Sequence, residues 1–137
     1  MKAEAESKPS VADVIQVDVI IVGAGLSGIS AAYHLNKHCP EKTYLILEAR
    51  DSLGGTWDFF RYPGVRSDSD MYTLGYSFEP WTGGKMFSDG PSIREYISRT
   101  ADKYDITKNI LFGRKVQRAN WSSADARWTI EVKSQDS

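Results

Sequence analysis

A single cysteine, Cys39, among 137 residues excludes an internal disulfide framework and fits a reducing compartment, so a cytoplasmic setting is expected. Cys39 stands beside Pro40 at the end of a helical pattern, where a small apolar filler is the ordinary reading and a nucleophile the rare one. Neither sign of charge dominates. The net charge of −1 argues against a nucleic-acid surface and against strong attraction to anionic membranes. Long hydrophobic runs are missing too. The longest, VDVIIVGAGLSGISAA, is broken by glycines and carries Asp18, so it is too short and too interrupted to span a bilayer. Peripheral membrane contact stays open. The opening residues, MKAEAESKPS, lack the apolar run of a signal peptide, and residues 1–14 are expected to form a disordered tail. Residues 15–137 suffice for one modest domain with a core.

What is present has an α/β order. VIQVDVIIV, Val14 to Val22, is nearly continuous and β-branched, the pattern of a strand buried on both faces of a parallel sheet. After GAGLSG, the residues Leu26, Ile29, Ala32, Tyr33 and Leu35 recur at helical spacing until Pro40. TYLILEA, Thr43 to Ala49, reads as a second buried strand and completes a Rossmann-like βαβ unit. From Arg50 to about Gly90 the periodicity is lost, with short helical pieces expected near SDSDMYTLGYSF. Pro91 then opens a helix whose face carries Ile93, Tyr96, Ile97, Thr100 and Tyr104. NILFGRKVQRANW and RWTIEVK flank the turn SSADA as a small antiparallel β appendage, with Trp121 and Trp128 placed to pack together.

Gly23, Gly25 and Gly28 form GxGxxG between a strand and a helix. The first glycine permits the tight turn, the second lets backbone approach a pyrophosphate, and the third lets helix and strand pack closely. Free N–H groups and a partial positive charge at the helix start favour phosphate, and Ser27 can add a hydroxyl. Glu48 stands twenty residues past Gly28, at the end of the next strand, where a carboxylate accepts hydrogen bonds from ribose hydroxyls. Such a carboxylate repels the 2′-phosphate of NADP, so this first nucleotide site suits FAD or NAD. A plain NAD domain would continue with further βαβ units. This chain instead continues with Gly54-Gly55-Thr56-Trp57, whose bare backbone suits the long arm of a flavin. Two histidines, His34 and His38, have a metal-compatible spacing, but no third ligand stands near and no metal site is expected.

Taken in order, DVIIVGAGLSG, LILEAR, LGGTWDFFRYPGVRSDSD and the SFEPW segment resemble the N-terminus of class B flavoprotein monooxygenases of the Baeyer–Villiger type. SDSDMYTLGY after RYPG is similar to the ethionamide-activating subgroup, and the resemblance runs from about Val17 to Val132. It implies a two-dinucleotide-binding flavoprotein fold, with FAD and NADPH as cofactors. The implied reaction inserts one atom of O₂ beside the carbonyl of a ketone, or oxygenates the sulfur of a thioether or the nitrogen of an amine. By position, Gly23, Gly25, Ser27 and Gly28 would hold the pyrophosphate and Glu48 the adenosine ribose. Gly55, Thr56, Trp57, Asp58 and Phe59 would line the flavin arm, and Val116 would touch the adenine region. Arg66, Ser67 and Asp68 would lie beside the flavin where the nicotinamide docks. Asp68 would have the catalytic role, a buried carboxylate orienting the cation that a family arginine supplies. The neighbouring aromatics would exclude water. Asp70 is either a helix cap or part of that charged edge.

Without its neighbours, RYPGVRSDSD would read as a surface turn with solvated ion pairs. A disulfide reductase is a poorer match, since it needs a redox cysteine pair, and RYPGVRSDSD does not suit an amine oxidase. Set against the family, the chain carries no second GxGxxG for NADPH and no family fingerprint between the two nucleotide motifs. The resemblance therefore implies an N-terminal part of an FAD domain, binding FAD weakly and turning over no substrate by itself. The alternative, from another class, is a truncated, non-catalytic paralogue or regulatory remnant that binds nucleotide weakly.

Overall fold

The computed structural model describes residues 14–135; the tail expected over residues 1–14 lies outside them except for Val14. The elements are β1 (Val19–Val22), α1 (Leu26–His38), β2 (Tyr44–Leu47), α2 (Thr56–Phe59), α3 (Met71–Leu74), α4 (Gly90–Lys103), β3 (Ile110–Leu111), β4 (Arg114–Ser122) and β5 (Arg127–Ser134). The first three strands form a parallel sheet in the order β1-β2-β3, and β4 and β5 form a separate antiparallel hairpin. The expected α/β class, the Rossmann-like βαβ unit and the antiparallel appendage are all present.

Two strand boundaries differ from the pattern. The ladder of β1 begins at Val19, paired with Tyr44, and Val14 and Ile15 are exposed. The cause is the partner strand. Just before β2, Thr43 donates from its N–H and its hydroxyl to Asp18 Oδ2 at 2.8 and 2.9 Å, and Asp18 N–H donates back to Thr43 Oγ1, so side-chain bonds replace the ladder there. β1 is also an edge strand with Val22 exposed, whereas β2 lies between two neighbours and is mostly buried. Further on, the stretch expected as one antiparallel strand is divided by Gly113 (φ +63°). Ile110 and Leu111 pair in parallel with Ile46 and Leu47 before the chain turns into the hairpin. Gly113 N–H donates to Arg50 O and Arg114 N–H to Glu48 O, both at 2.9 Å, which ties the turn to the end of β2.

The core lies between the sheet and two helices. α1 contributes Ile29 and Ala32, α4 contributes Ile93, Tyr96, Ile97 and Ala101, and Ile46, Met71 and Ile106 complete it. α4 begins at Gly90, one residue before the expected Pro91, because Asp89 caps it: Asp89 Oδ1 accepts from Ser92 N–H at 2.8 Å, with proline in the first turn. Asp70 is a cap as well, accepting from Thr73 N–H at 2.9 Å, which resolves its two readings in favour of the helix end.

The irregular segment between β2 and α4 is fastened by its aromatics. Tyr76 Oη donates to Leu26 O at 2.6 Å, Tyr76 N–H donates to Tyr96 Oη at 2.8 Å, and Phe78 stacks on Tyr33 with centroids 3.6 Å apart. These rings seal the segment onto α1 and α4. They belong to the core, whereas Phe59, Phe60, Tyr62, Tyr72 and Phe87 of the same segment remain exposed. Trp121 and Trp128 do pack together on the hairpin, 5.5 Å apart.

One ionised group is fully buried within this segment. The Asp58 carboxylate accepts from Arg94 Nε at 2.6 Å, Arg61 Nη2 at 2.7 Å and Arg50 Nη2 at 2.8 Å, and from the Ser52 hydroxyl at 3.2 Å. Burial pushes its pKa up, but the bonds from Arg50, Arg61 and Arg94 outweigh it and bring the carboxyl down to about 2.

Two stability measurements follow. A Cβ on Gly28 would be driven into the Gly23 carbonyl oxygen, so Gly28→Ala is expected to lower unfolding free energy by about 3 kcal/mol in urea titration. For Asp58 the folded pKa is the depressed one. Its contribution is therefore present above the unfolded value near 3.8 and fades as pH falls through about 2. Water at the half-exposed guanidiniums reduces it to about 1–2 kcal/mol. The stability gap between the native chain and Asp58→Asn is expected to narrow by that amount as the pH is taken from 6 toward 2.

Candidate dinucleotide site

The site grows out of one turn. β1 ends at Val22, Gly23 turns the chain with φ +100°, and Gly23 N–H donates to Leu47 O at 2.9 Å. The next residue, Ala24, is fully buried, and both of its backbone polar groups are taken. Its N–H donates to Glu48 Oε2 at 2.7 Å, and its carbonyl accepts from Gly54 N–H at 2.9 Å. Glu48 Oε1 accepts in turn from Arg50 N–H at 3.1 Å. The buried carboxylate thus braces the glycine turn through two amides, and its oxygens keep lone pairs for further donors.

Gly25 follows as the N-cap of α1, with extended backbone and no side chain to cap the helix. The first helical N–H groups, those of Leu26, Ser27 and Gly28, have no acceptor among the described residues, and the first turn carries no acidic residue. Opposite them runs the second glycine pair. A Cβ on Gly55 would lie 3.0 Å from Gly25 Cα, so two bare backbones meet with nothing between them. Gly54 and Gly55 take positive φ, +121° and +55°, to bring the chain there. Along this contact opens a cleft of about 420 Å³, lined on one side by Gly23 and residues 25–28 and on the other by Gly54–Trp57.

This donor set fits the diphosphate of a dinucleotide. Unpartnered helix amides, a positive dipole end and unobstructed backbone supply what a diphosphate requires. Glu48 stands beside the turn with hydrogen-bond capacity to spare, as a ribose requires.

The expected site residues divide into groups. Gly23, Gly25, Ser27, Gly28, Gly55, Thr56 and Trp57 line the one cleft. Glu48 braces it from beneath. The Asp58 carboxylate is occupied by its three arginines and does not line the cleft. Phe59 is exposed, with the Arg50 guanidinium 5.1 Å above its ring. Arg66 lies in a second cleft of about 410 Å³, with Val65, Lys85, Phe87 and Asp89. Ser67 is buried, and its hydroxyl bonds the Ser69 backbone at 2.7 Å. Asp68 is exposed rather than buried, and its carboxylate has no hydrogen-bond partner among the described residues. Val116 sits half-buried on β4, paired with Val132 and outside both clefts.

Sequence reasoning missed Ala24, Arg50 and Arg94. Arg50 had a local signal, since it directly follows the strand that delivers Glu48. Arg94 had none, because 36 residues separate it from Asp58. His34 and His38 stack on each other at 5.8 Å, and the described residues contain no metal-binding group of three. No helix among them is long and apolar enough to cross a membrane.

The chain is similar to known proteins in both sequence and fold. The chain is 58% identical over 118 residues to the FAD-containing monooxygenase EthA of Mycobacterium tuberculosis, covering 86% of this chain and 24% of that protein. It is 47% identical over 116 residues to the probable FAD-binding monooxygenase AlmA of Acinetobacter baylyi, covering 85% and 23%. Among solved structures, a steroid monooxygenase bound to NADP superposes with a TM-score of 0.79 at 30% identity, covering 85% of this chain and 23% of that one. OTEMO in complex with FAD and NADP gives 0.76 at 32%, covering 85% and 22%. The chain spans about a quarter of the length of the relatives it matches. It resembles, as the motifs implied, Baeyer–Villiger monooxygenases. Residues 21–97, more than half of the 137, match the NAD(P)-binding Rossmann-like domain, and the chain belongs to that family.

Proposed function

We propose that the chain is the FAD-binding segment of an NADPH-dependent monooxygenase, acting on a small-molecule ketone, thioether or amine. The carrying observation is the cleft itself: uncapped amides at the start of α1, bare backbone on both sides, and Glu48 beneath. It is the geometry of a dinucleotide site lengthened by a second wall. The 58% identity to an FAD-containing monooxygenase chooses FAD among the dinucleotides. The structural likeness to monooxygenases carrying FAD and NADP adds NADPH as the second cofactor.

In this reading the amides of Leu26, Ser27 and Gly28 bind the diphosphate, and Glu48 accepts from the ribose. Gly55, Thr56 and Trp57 run along the arm beyond the diphosphate. Bound FAD supplies the two-electron redox chemistry and the activation of O₂. Asp68 is the residue we place at the flavin edge. Its exposed carboxylate, unpartnered within the described residues, is available to orient a cation there. Arg66, in the second cleft, offers positive charge to the phosphates of a nicotinamide cofactor. Val116 keeps its place at the adenine end by resemblance alone. A cytoplasmic setting is supported by the free thiol of Cys39.

Gly25 tests the reading. A Cβ there would meet only Gly55 Cα at 3.5 Å, an ordinary contact, so Gly25→Ala is expected to fold with native stability to within about 1 kcal/mol. It is expected to weaken FAD binding at least about tenfold, read by quenching of Trp57 fluorescence, because the methyl stands where the diphosphate must approach. Undiminished affinity in Gly25→Ala would remove the diphosphate from this cleft.

A further inference from the structure

Asp58 directly follows the last wall residue of the cleft, yet its side chain turns into the protein, where three guanidiniums meet it. They come from three segments: Arg50 from the chain after β2, Arg61 from the turn after α2, and Arg94 from α4. The Asp58 backbone is held as well. Its N–H donates to Gly55 O at 3.1 Å, and its carbonyl accepts from Arg61 Nε at 2.8 Å. This cluster packs directly against the second glycine pair. A Cβ on Gly54 would lie 3.1 Å from Asp58 Cβ and 3.2 Å from Arg94 Cγ. Gly54 in turn donates to Ala24, the residue of the first glycine turn that Glu48 braces.

The contacts therefore form one chain: guanidiniums to Asp58, Asp58 to Gly54–Gly55, Gly54 to Ala24. Arg50 closes it from the other side, since its N–H bonds Glu48 while its guanidinium bonds Asp58.

We propose that Asp58 is a positioning residue for the second wall of the cleft: by gathering Arg50, Arg61 and Arg94 it fixes Gly54–Trp57 against Gly25. The inference rests on the reading that the cleft holds FAD. It assigns Asp58 a place behind the wall rather than on it, and it predicts a division of labour along the ligand. The first glycine segment and Glu48 hold the adenosine diphosphate half. The clamped wall holds what lies beyond. A wall released from its clamp spends part of its time elsewhere, and affinity for the part it grips falls by that fraction.

Two ligands separate the halves. ADP reaches only the first segment, whereas FAD spans both. In titrations of the full chain, Asp58→Asn is expected to raise the FAD dissociation constant about tenfold and to leave that of ADP within about twofold. Arg94→Gln, which leaves Arg50 and Arg61 on the carboxylate, is expected to show the same split at about threefold and carries the test alone if Asp58→Asn does not fold. Equal losses for FAD and ADP would mark the cluster as a stability element only and overturn the proposal, as would FAD affinity untouched by either variant. If the unsubstituted chain bound ADP but not FAD, the reading of the cleft as an FAD site would fail, and this inference would fall with it.

Discussion

The site depends on the satisfaction of one buried peptide. Ala24 has no exposed surface, and an unmade hydrogen bond there would cost about 1–3 kcal/mol for each polar group. Glu48 takes its N–H and Gly54 gives to its carbonyl. Because the backbone at Ala24 is spent inward, the amides that follow at the start of α1 are the ones left facing the cleft. A carboxylate is suited to this post, since accepting two amide hydrogens offsets the loss of water around its charge. The same group that shapes the glycine turn is the one proposed to meet the ribose.

The second buried carboxylate, Asp58, solves a different problem. The segment after β2 has little regular structure to hold it, with four-residue helices at α2 and α3. Apolar anchors fix its far end through Tyr76 and Phe78. Near the cleft, where glycines leave no side chains to pack, ionic hydrogen bonds replace them. One carboxylate facing three guanidiniums leaves surplus positive charge. The arginine side chains are 38 to 68% exposed, so that surplus is hydrated while the carboxylate stays dry.

Sequence and structure agree where the determinants are local. The glycine motif, the helix after it, the helix at Pro91 and the hairpin tryptophans are set by residues within a few positions of each other. Disagreement begins where a distant segment decides. The length of β1 is set by Thr43, not by its own β-branched run. The entry of Ile110 into the parallel sheet is set by the free edge of β2 and the turn at Gly113, both invisible to alternation within NILFGRKVQRANW. Tyr76 and Phe78 belong to the core through partners on α1 and α4, which nothing in their own stretch of sequence reveals. The inward turn of the Asp58 carboxylate has no local signal, because one of its partners, Arg94, lies a helix away.

The three glycines of the motif are not equivalent, and the difference bears on function. Gly23 is required by its dihedral, since φ +100° is strained for any side chain. Gly28 is required by packing, since a Cβ there would collide with the Gly23 carbonyl. Either would be kept by a fold that bound nothing. Gly25 has an ordinary φ of −84° and room for a methyl group. Neither the turn nor the core demands a glycine at that position, and an N-cap of serine or aspartate would serve α1 better. A capping side chain there would occupy the very amides that face the cleft. The missing cap and the missing Cβ are what the proposed diphosphate would call for together, and it is at this residue that the needs of the fold and the needs of the proposed site come apart.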